Sequence, residues 1–202
     1  MAKIIQFSPT PGPEKFGPQR ARRKKDGPSP ELPAKSQLNL FTGAKVLRLN
    51  QLSAFEEALL VDDQGDKKAA RTSYLKAVQE GDSVADAYCN LGILEWQDNN
   101  PTKAIDYFTQ SLKNDPRHYE SHYNLANLYA EVGNYALAKI HYQIAIEIEP
   151  EFANSYFNLG LTLAMNKEFK EAVSVLKKYR QMTPGEDHAH TDDLIFKLAT
   201  TL

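Results

Sequence analysis

The sequence predicts an all-α protein, an α-solenoid of antiparallel helix pairs that follows a disordered N-terminal tail. Two observations predict this architecture. A spacing of 34 residues recurs through the second half of the chain, and seven of the 11 prolines fall within residues 1–36. A fixed period of this length is typical of stacked helical repeats, because each unit buries its apolar face against the next unit.

Three independent sets of residues share the period. They are the prolines Pro116, Pro150 and Pro184, the Asn-Leu pairs that begin at Asn90, Asn124 and Asn158, and the alanines Ala104, Ala138 and Ala172. In the middle unit, apolar residues at helical spacing predict helices over 119–132 and 135–149, joined by a turn at 133–134. Pro150 ends the second helix, because proline disfavours helix at the preceding residue.

Three copies of one motif resemble the tetratricopeptide repeat family, whose pattern is an aromatic, Leu-Gly, Tyr, Ala, an aromatic and Pro. The copies read Tyr88, Leu91, Gly92, Ala104, Phe108 and Pro116; His122, Leu125, Ala126, Tyr129, Ala138, Tyr142 and Pro150; and Tyr156, Leu159, Gly160, Ala172, Leu176 and Pro184. Glu95 and Leu163 stand where the family has Tyr. The resemblance implies a right-handed superhelix with three repeats over 85–186.

Weaker patterns flank the three repeats. Residues 37–84 are predicted to form a divergent helix pair, with one helix over about 66–80 and a partner within 44–61. The apolar stripe of that partner comprises Val46, Leu49, Leu52, Phe55, Leu59 and Leu60. Residues 187–202 are predicted to contain a capping helix, which covers the apolar side of the last repeat. Its apolar face consists of Leu194, Ile195, Leu198 and Leu202.

Residues 1–36 are predicted to be a disordered basic tail, since proline is abundant and large apolar residues are few. Eight basic and three acidic residues give this tail a net charge of +5, so the remainder of the chain carries −7. A basic cluster within the tail is compatible with nucleic acid, an acidic partner or an anionic surface, and equally with a solubilising charge run. The cluster comprises Arg20, Arg22, Arg23, Lys24 and Lys25.

A second short signal follows the tail. Gln37, Leu38, Leu40 and Phe41, with Asn39 between them, resemble the pentapeptide with which bacterial replication proteins dock on the sliding clamp. Docking peptides of this kind place apolar side chains in a partner's pocket. The alternative is that these apolar residues staple the start of the first helix.

In repeats of this family, the residue before the recurrent Leu is implied to face the concave groove. Here it is Asn90, Asn124 and Asn158. An amide side chain both donates and accepts, so it can pair with the backbone of an extended peptide, as in the asparagine ladders of this family's peptide-binding superhelices. Helix pairs spaced about 10 Å apart, against a strand rise of about 3.3 Å, predict one Asn per three peptide residues. The alternative is that Asn is only a tolerated polar residue on an exposed face.

The same helical offsets predict the flanks of the groove. The flanking residues are Cys89, Tyr123 and Phe157 beside the asparagines, Ile93, Asn127 and Leu161 one turn further on, and Trp96 and Met165 near the rim. Aromatic and Met side chains suit the binding of short segments. Tyr123 and Phe157 are equally compatible with the core. The groove lacks basic residues where chaperone-type members clamp a C-terminal carboxylate, which argues against a heat-shock co-chaperone.

Catalytic and metal chemistry are not predicted. His118 and His122 lack the adjacent Glu of the zinc-protease motif, and Cys89 has no cationic neighbour in the sequence to activate it. No metal or cofactor is expected. The single Cys fits a reducing compartment, and no apolar run is long enough to span a membrane, so a cytoplasmic location is expected.

Two functional hypotheses follow. The first is a non-enzymatic scaffold or adaptor that binds an extended segment of a protein partner in its concave groove. The alternative is a regulatory factor associated with DNA or the replication machinery through its basic tail and the 37–41 peptide. Phosphate contacts lose affinity steeply with salt, so a salt titration of DNA binding separates the two. The sequence leaves the oligomeric state open.

Overall fold

A computed structural model of the protein describes residues 19–21 and 52–201, which contain nine α-helices. They are α1 (Ala54–Asp63), α2 (Lys67–Glu80), α3 (Val84–Gln97), α4 (Pro101–Asn114), α5 (Tyr119–Glu131), α6 (Tyr135–Ile148), α7 (Ala153–Met165), α8 (Phe169–Met182) and α9 (Ala189–Ala199). Consecutive helices pack as the pairs α1–α2, α3–α4, α5–α6 and α7–α8, and each pair packs on the next. The predicted all-α solenoid of helix pairs is confirmed.

Local signals set the ends of the helices. The caps Asp115, Glu149 and Thr183 end α4, α6 and α8, each one residue before a recurrent proline. Gly133 adopts a positive φ of 79° in the turn before α6, a conformation that an L side chain disfavours. The helices of the middle unit, α5 and α6, each end one residue before the predicted position.

Small residues allow the two helices of a pair to approach closely. A Cβ on Gly92 would lie 2.6 Å from Cε1 of Phe108, and a Cβ on Gly160 would lie 2.6 Å from Cγ of Leu176. These distances are far below van der Waals contact, so each glycine is required by the ring or branched side chain opposite. Leu176 thereby takes the place of the family's aromatic residue.

The first helix differs from the prediction. Ser53 caps α1, since its hydroxyl accepts from the Glu56 amide at 3.3 Å and the Glu56 carboxylate accepts from the Ser53 amide at 2.8 Å. The helix begins at Ala54, inside the predicted range 44–61, and ends at Asp63, two residues beyond that range. Phe55 is buried as expected. Leu60, which was also predicted on the apolar face, is half exposed, whereas Ala58 is buried. Val46 and Leu49 lie outside the described residues.

The last helix, α9, packs on α8 and buries Leu194 and Leu198. This is the arrangement expected of a capping helix.

The structure also explains why Glu95 can stand where the family has Tyr. Its carboxylate is buried and pairs with Nε of Arg71 at 3.0 Å and with Nδ2 of Asn100 at 3.1 Å.

Candidate peptide-binding groove

Among the first helices of the three C-terminal pairs, α3 contacts α5 and α5 contacts α7, and the three helices form the inner face of the stack. Asn90, Asn124 and Asn158 lie at equivalent positions on these helices and are all buried. None of the three therefore lies on an exposed face. The groove contains a segment of the same chain, Gln19–Ala21, which lies across α3 and α5.

Two of the asparagines bind the backbone of this segment through both atoms of the amide. Asn124 Oδ1 accepts from the Gln19 N–H at 2.8 Å, and its Nδ2 donates to the Gln19 carbonyl at 2.8 Å. Asn90 makes the same pair with Ala21, at 3.0 Å from the N–H and 3.1 Å to the carbonyl. Each amide thus satisfies one backbone donor and one backbone acceptor of the segment.

The ladder has a different spacing from the one expected. Successive asparagines meet residues two apart, Gln19 and Ala21, rather than three apart. A period of two matches the pleat of an extended chain, so Gln19 and Ala21 point to one side and Arg20 to the other.

The third asparagine, Asn158, forms hydrogen bonds with side chains of the repeats. Nδ2 of Asn158 donates to the Tyr123 hydroxyl at 2.8 Å and to Oδ1 of Asn127 at 3.1 Å. Asn127 Oδ1 also accepts from the Tyr142 hydroxyl. Asn158 and Asn127 therefore belong to a buried polar network at this end of the groove, which joins α5, α6 and α7.

Arg20 is held by two carboxylates at the end of α1. Its guanidinium lies 3.1 Å from Oδ1 of Asp62 and 3.1 Å from Oδ1 of Asp63. The Asp62 side chain is only 3% exposed, whereas that of Asp63 is 60% exposed. Sequence reasoning missed this pair, because two adjacent acidic residues at a helix end have no signature that separates a ligand site from a solvated surface.

A chain of hydrogen bonds connects the Arg20 contact at Asp62 with the Ala21 backbone contact at Asn90. The Tyr74 hydroxyl donates to Oδ2 of Asp62 at 2.9 Å and accepts from Nδ2 of Asn90 at 3.2 Å. The ring is fully buried, and burial followed by the nearby Asp62 charge raises the pKa of Tyr74 well above its usual value. Tyr74 thus remains a neutral donor that links the arginine contact to the backbone contact.

Ala21 is completely buried and packs into a cluster of the first and second repeats. The cluster comprises Cys89, Ile93, Ala104, Phe108, Leu125 and Leu128. Cys89 and Ile93, predicted as groove residues, are therefore in the pocket beneath the segment. Burial raises the pKa of the Cys89 thiol to about 12, so the thiol is protonated at neutral pH.

The remaining predicted flanks divide between groove and core. Tyr123 and Leu161 are buried in the core cluster of the C-terminal repeats, and Phe157 is partly buried against the same cluster. Tyr123 packs edge-on against Phe152 and Tyr142. Trp96 is half-buried, and its Nε1 donates to the Glu131 carboxylate at 2.9 Å.

A family model of the tetratricopeptide repeat matches residues 55–119 and 123–187, which together are more than half of the chain. This chain belongs to the tetratricopeptide repeat family. Its repeats form a protein-interaction domain of the kind that the motif spacing implied. The predicted resemblance is confirmed, and the first match includes the divergent pair α1–α2.

Two relatives contain similar repeats within much longer chains. The protein O-mannosyl-transferase TMTC3 of Homo sapiens is 33% identical over 113 residues, which are 54% of this chain and 12% of that protein. The UDP-N-acetylglucosamine–peptide N-acetylglucosaminyltransferase of Giardia intestinalis is 28% identical over 122 residues, which are 60% of this chain and 8% of that protein. The chain thus spans about a tenth of the length of these two relatives.

Solved tetratricopeptide repeat structures share the fold at low sequence identity. PilF of Pseudomonas aeruginosa has a TM-score of 0.65 at 21% identity, covering 73% of this chain and 68% of that chain. YrrB, described as a TPR protein with an unusual peptide-binding site, has a TM-score of 0.63 at 22% identity, covering 73% and 75%. The TPR2B domain of yeast Sti1 in complex with pHsp70 has a TM-score of 0.54 at 20% identity, covering 58% and 98%.

The histidines of the repeats serve in packing and capping. His118 caps α5, since its Nδ1 accepts from the Ser121 amide at 3.2 Å and its Nε2 donates to Asp86 at 3.0 Å. His122 Nε2 donates to the Pro116 carbonyl, so its Nδ1 accepts from Nδ1 of His141 at 3.0 Å. Burial, followed by the neighbouring His122, lowers the pKa of His141 to about 4.

Among residues 19–21 and 52–201, no three His, Cys, Asp or Glu side chains converge as metal ligands. No helix in the same part of the chain is long and apolar enough to cross a membrane.

The structure describes only three residues of the predicted tail. Gln19 and Ala21 are hydrogen-bonded to Asn124 and Asn90, and Arg20 is paired with Asp62 and Asp63, whereas disorder of the tail stays a prediction. The remaining predicted interaction residues lie outside the described residues, and their roles stay predictions. They are Arg22, Arg23, Lys24 and Lys25 of the basic cluster, and Gln37, Leu38, Leu40 and Phe41 of the short peptide.

Proposed function

We propose that this protein is a non-enzymatic adaptor whose concave groove binds an extended segment of a protein partner by its backbone. The observation that carries the proposal is the pairing of Asn90 and Asn124 with both backbone groups of Ala21 and Gln19. Such pairing is indifferent to the side chain of the bound residue, so the amides would contribute affinity and their neighbours selectivity.

The charge of the groove supports a ligand other than a peptide carboxylate. Asp62 and Asp63 lie beside the bound segment, and Asp86 and Glu120 stand one helical turn before Asn90 and Asn124, where both contact His118. Acidic side chains repel a C-terminal carboxylate and favour a basic segment. A heat-shock co-chaperone that clamps a chain terminus therefore remains disfavoured.

The groups that could support catalysis are used structurally, which favours a binding role. The Cys89 thiol is buried beneath the segment, and its raised pKa leaves it protonated and weakly nucleophilic. His122 and His141 bond to each other, and burial lowers the pKa of both. The cytoplasmic location stays a prediction.

A selection from a random-peptide phage library tests the proposal. The bait is the full chain carrying Arg20→Glu and Ala21→Leu, named here the tail-released protein, in which the resident segment no longer fits. Selected peptides should lose binding when Asn90→Ala and Asn124→Ala are added, because two donor–acceptor pairs disappear. Asn114→Ala is the matched control, since Asn114 is exposed at the end of α4. Peptides that bind equally well without the groove asparagines would place the interaction surface elsewhere.

A further inference from the structure

We infer that the groove selects extended segments in which an arginine is followed by a small residue, and that the chain's own segment Gln19–Ala21 is a resident ligand of this kind, displaced by partners with the same pattern. The inference rests on the proposed function, because it names the ligand class of the same groove. It also adds a regulatory consequence, since the chain competes with its own partners.

The selection of arginine follows from the burial of Asp62. Its side chain is 3% exposed, and within the described residues its polar contacts are the Tyr74 hydroxyl and the Arg20 guanidinium. A buried carboxylate is costly unless a cation compensates it. A groove without a cationic ligand would leave this charge with a single neutral donor, so the site is built to receive a cation.

The geometry favours arginine over lysine. One nitrogen of the guanidinium lies 3.1 Å from Asp62 and the other lies 3.1 Å from Asp63, so the planar fork bridges two carboxylates. A lysine ammonium is a compact point charge and cannot span both acceptors in this way. Asp63 is largely exposed, so its contribution is the geometry of the bridge rather than a strong ion pair.

The selection of a small residue follows from the position of Ala21. Its side chain is fully buried between α3 and α5, against Cys89, Ile93 and Leu125. The backbone of Ala21 is fixed by both atoms of the Asn90 amide, so a larger side chain cannot withdraw without breaking this pair. Overpacking a site of this kind is destabilising.

The preference for arginine and the preference for a small residue apply to adjacent positions of the ligand. In an extended chain, neighbouring side chains point to opposite sides. The ladder fixes residues 19 and 21 against the inner face, and only the residue between them is directed to the end of α1. Arginine must therefore directly precede the small residue. The hydrogen bonds from Asn90 to Tyr74 and from Tyr74 to Asp62 make the arginine contact and the backbone contact one network.

The test measures fluorescence anisotropy of a labelled synthetic peptide, residues 14–26, with the full-length protein and with the tail-released protein. A tethered segment competes at an effective concentration of the order of millimolar. The wild-type chain should therefore bind the peptide at least tenfold more weakly than the tail-released protein. Helical circular dichroism checks that the tail-released protein is folded.

Variant peptides test the ligand class on the tail-released protein. Changing the peptide residue Arg20→Ala or Ala21→Leu should weaken binding at least tenfold, Arg20→Lys should weaken it less, and Ala21→Ser should change it little. In the protein, Asp62→Asn should abolish the preference for Arg over Ala at that peptide position. The Asn114→Ala protein should keep the preference.

Several results would overturn the inference. Peptides that bind through Asn90 and Asn124 regardless of the Arg and Ala changes would leave the proposed function intact and refute the ligand class. Equal affinity of the wild-type and tail-released proteins would refute resident occupancy. A concentration-dependent dimer that the tail-released protein no longer forms, detected by light scattering, would place the segment in the groove of a second copy and refute the intrachain arrangement.

Discussion

The amide of Asn124 holds Gln19 by both of its backbone groups, across 105 positions of sequence, with two hydrogen bonds of 2.8 Å. Asn90 repeats the contact at Ala21, two residues later in the bound segment. The direction of the segment is therefore opposite to the order of the repeats. A partner peptide that uses the same ladder is expected to adopt the same direction and the same two-residue register.

The first prediction concerns proteolysis of the bound segment. Trypsin should cleave slowly after Arg20 in the wild-type protein, because the side chain is paired with Asp62 and the flanking backbone is held by the ladder. Asn124→Ala removes two hydrogen bonds, each contributing about 0.5–1.5 kcal/mol, and should accelerate this cleavage roughly tenfold. Mass spectrometry of a digestion time course measures the rate at this bond. An unchanged rate in Asn124→Ala, matching that of the Asn114→Ala control, would show that the ladder does not hold the segment.

A second prediction concerns the contribution of the Asn158 amide to stability. Asn158→Ala removes two buried hydrogen bonds, one to the Tyr123 hydroxyl and one to Oδ1 of Asn127, and each such bond contributes about 0.5–1.5 kcal/mol. The melting temperature should fall by several degrees, whereas Asn114→Ala should leave it unchanged. Thermal unfolding followed by circular dichroism measures both. Equal melting temperatures would mean that the amide of Asn158 is dispensable to the fold.

The close approach of Gly160 to Leu176 gives a third prediction. Gly160→Ala places a Cβ 2.6 Å from Cγ of Leu176, so it should destabilise the protein by about 1–3 kcal/mol, typical of overpacking. Gly160→Leu should cost more. Adding Leu176→Ala should make the Gly160→Ala change much less costly, because the opposing side chain is then removed and contacting sites are not additive. Denaturant unfolding measures each free energy, and an additive double variant would contradict the contact.

The His122–His141 pair predicts a dependence of stability on pH. The folded pKa of His141, about 4, lies below the unfolded value of about 6.5. The unfolded state therefore binds more protons between these values, and stability falls as pH decreases from 6.5 towards 4. After allowance for the partial exposure of the ring, the contribution is of the order of 1 kcal/mol.

The measurement for this pair is the melting temperature of the wild-type and His141→Phe proteins between pH 7 and pH 4. The wild-type protein should lose several degrees more than the variant, because phenylalanine does not titrate. Parallel curves for the two proteins would show that protonation of His141 is not linked to unfolding.

Much of the fold could be predicted from sequence, because its determinants are local. The 34-residue period, the prolines after each cap and the Gly133-Asn134 turn set the helices of the three repeats. Gly92 and Gly160 mark the helix contacts, since only a small residue fits opposite Phe108 or Leu176. The register of Asn90, Asn124 and Asn158 also predicted which residues meet on the inner face.

The composition of the groove was decided by tertiary structure. The two-residue spacing of the ladder is set by contacts of Asn90 and Asn124 with residues far from them in sequence. The pairing of Arg20 with Asp62 joins residues far apart in sequence, and a carboxylate at a helix end acquires a ligand role only when the fold buries it. The tail's composition indicated a solvated chain, but three of its residues lie in the groove because Asn90, Asn124 and Asp62 together satisfy their backbone and charge.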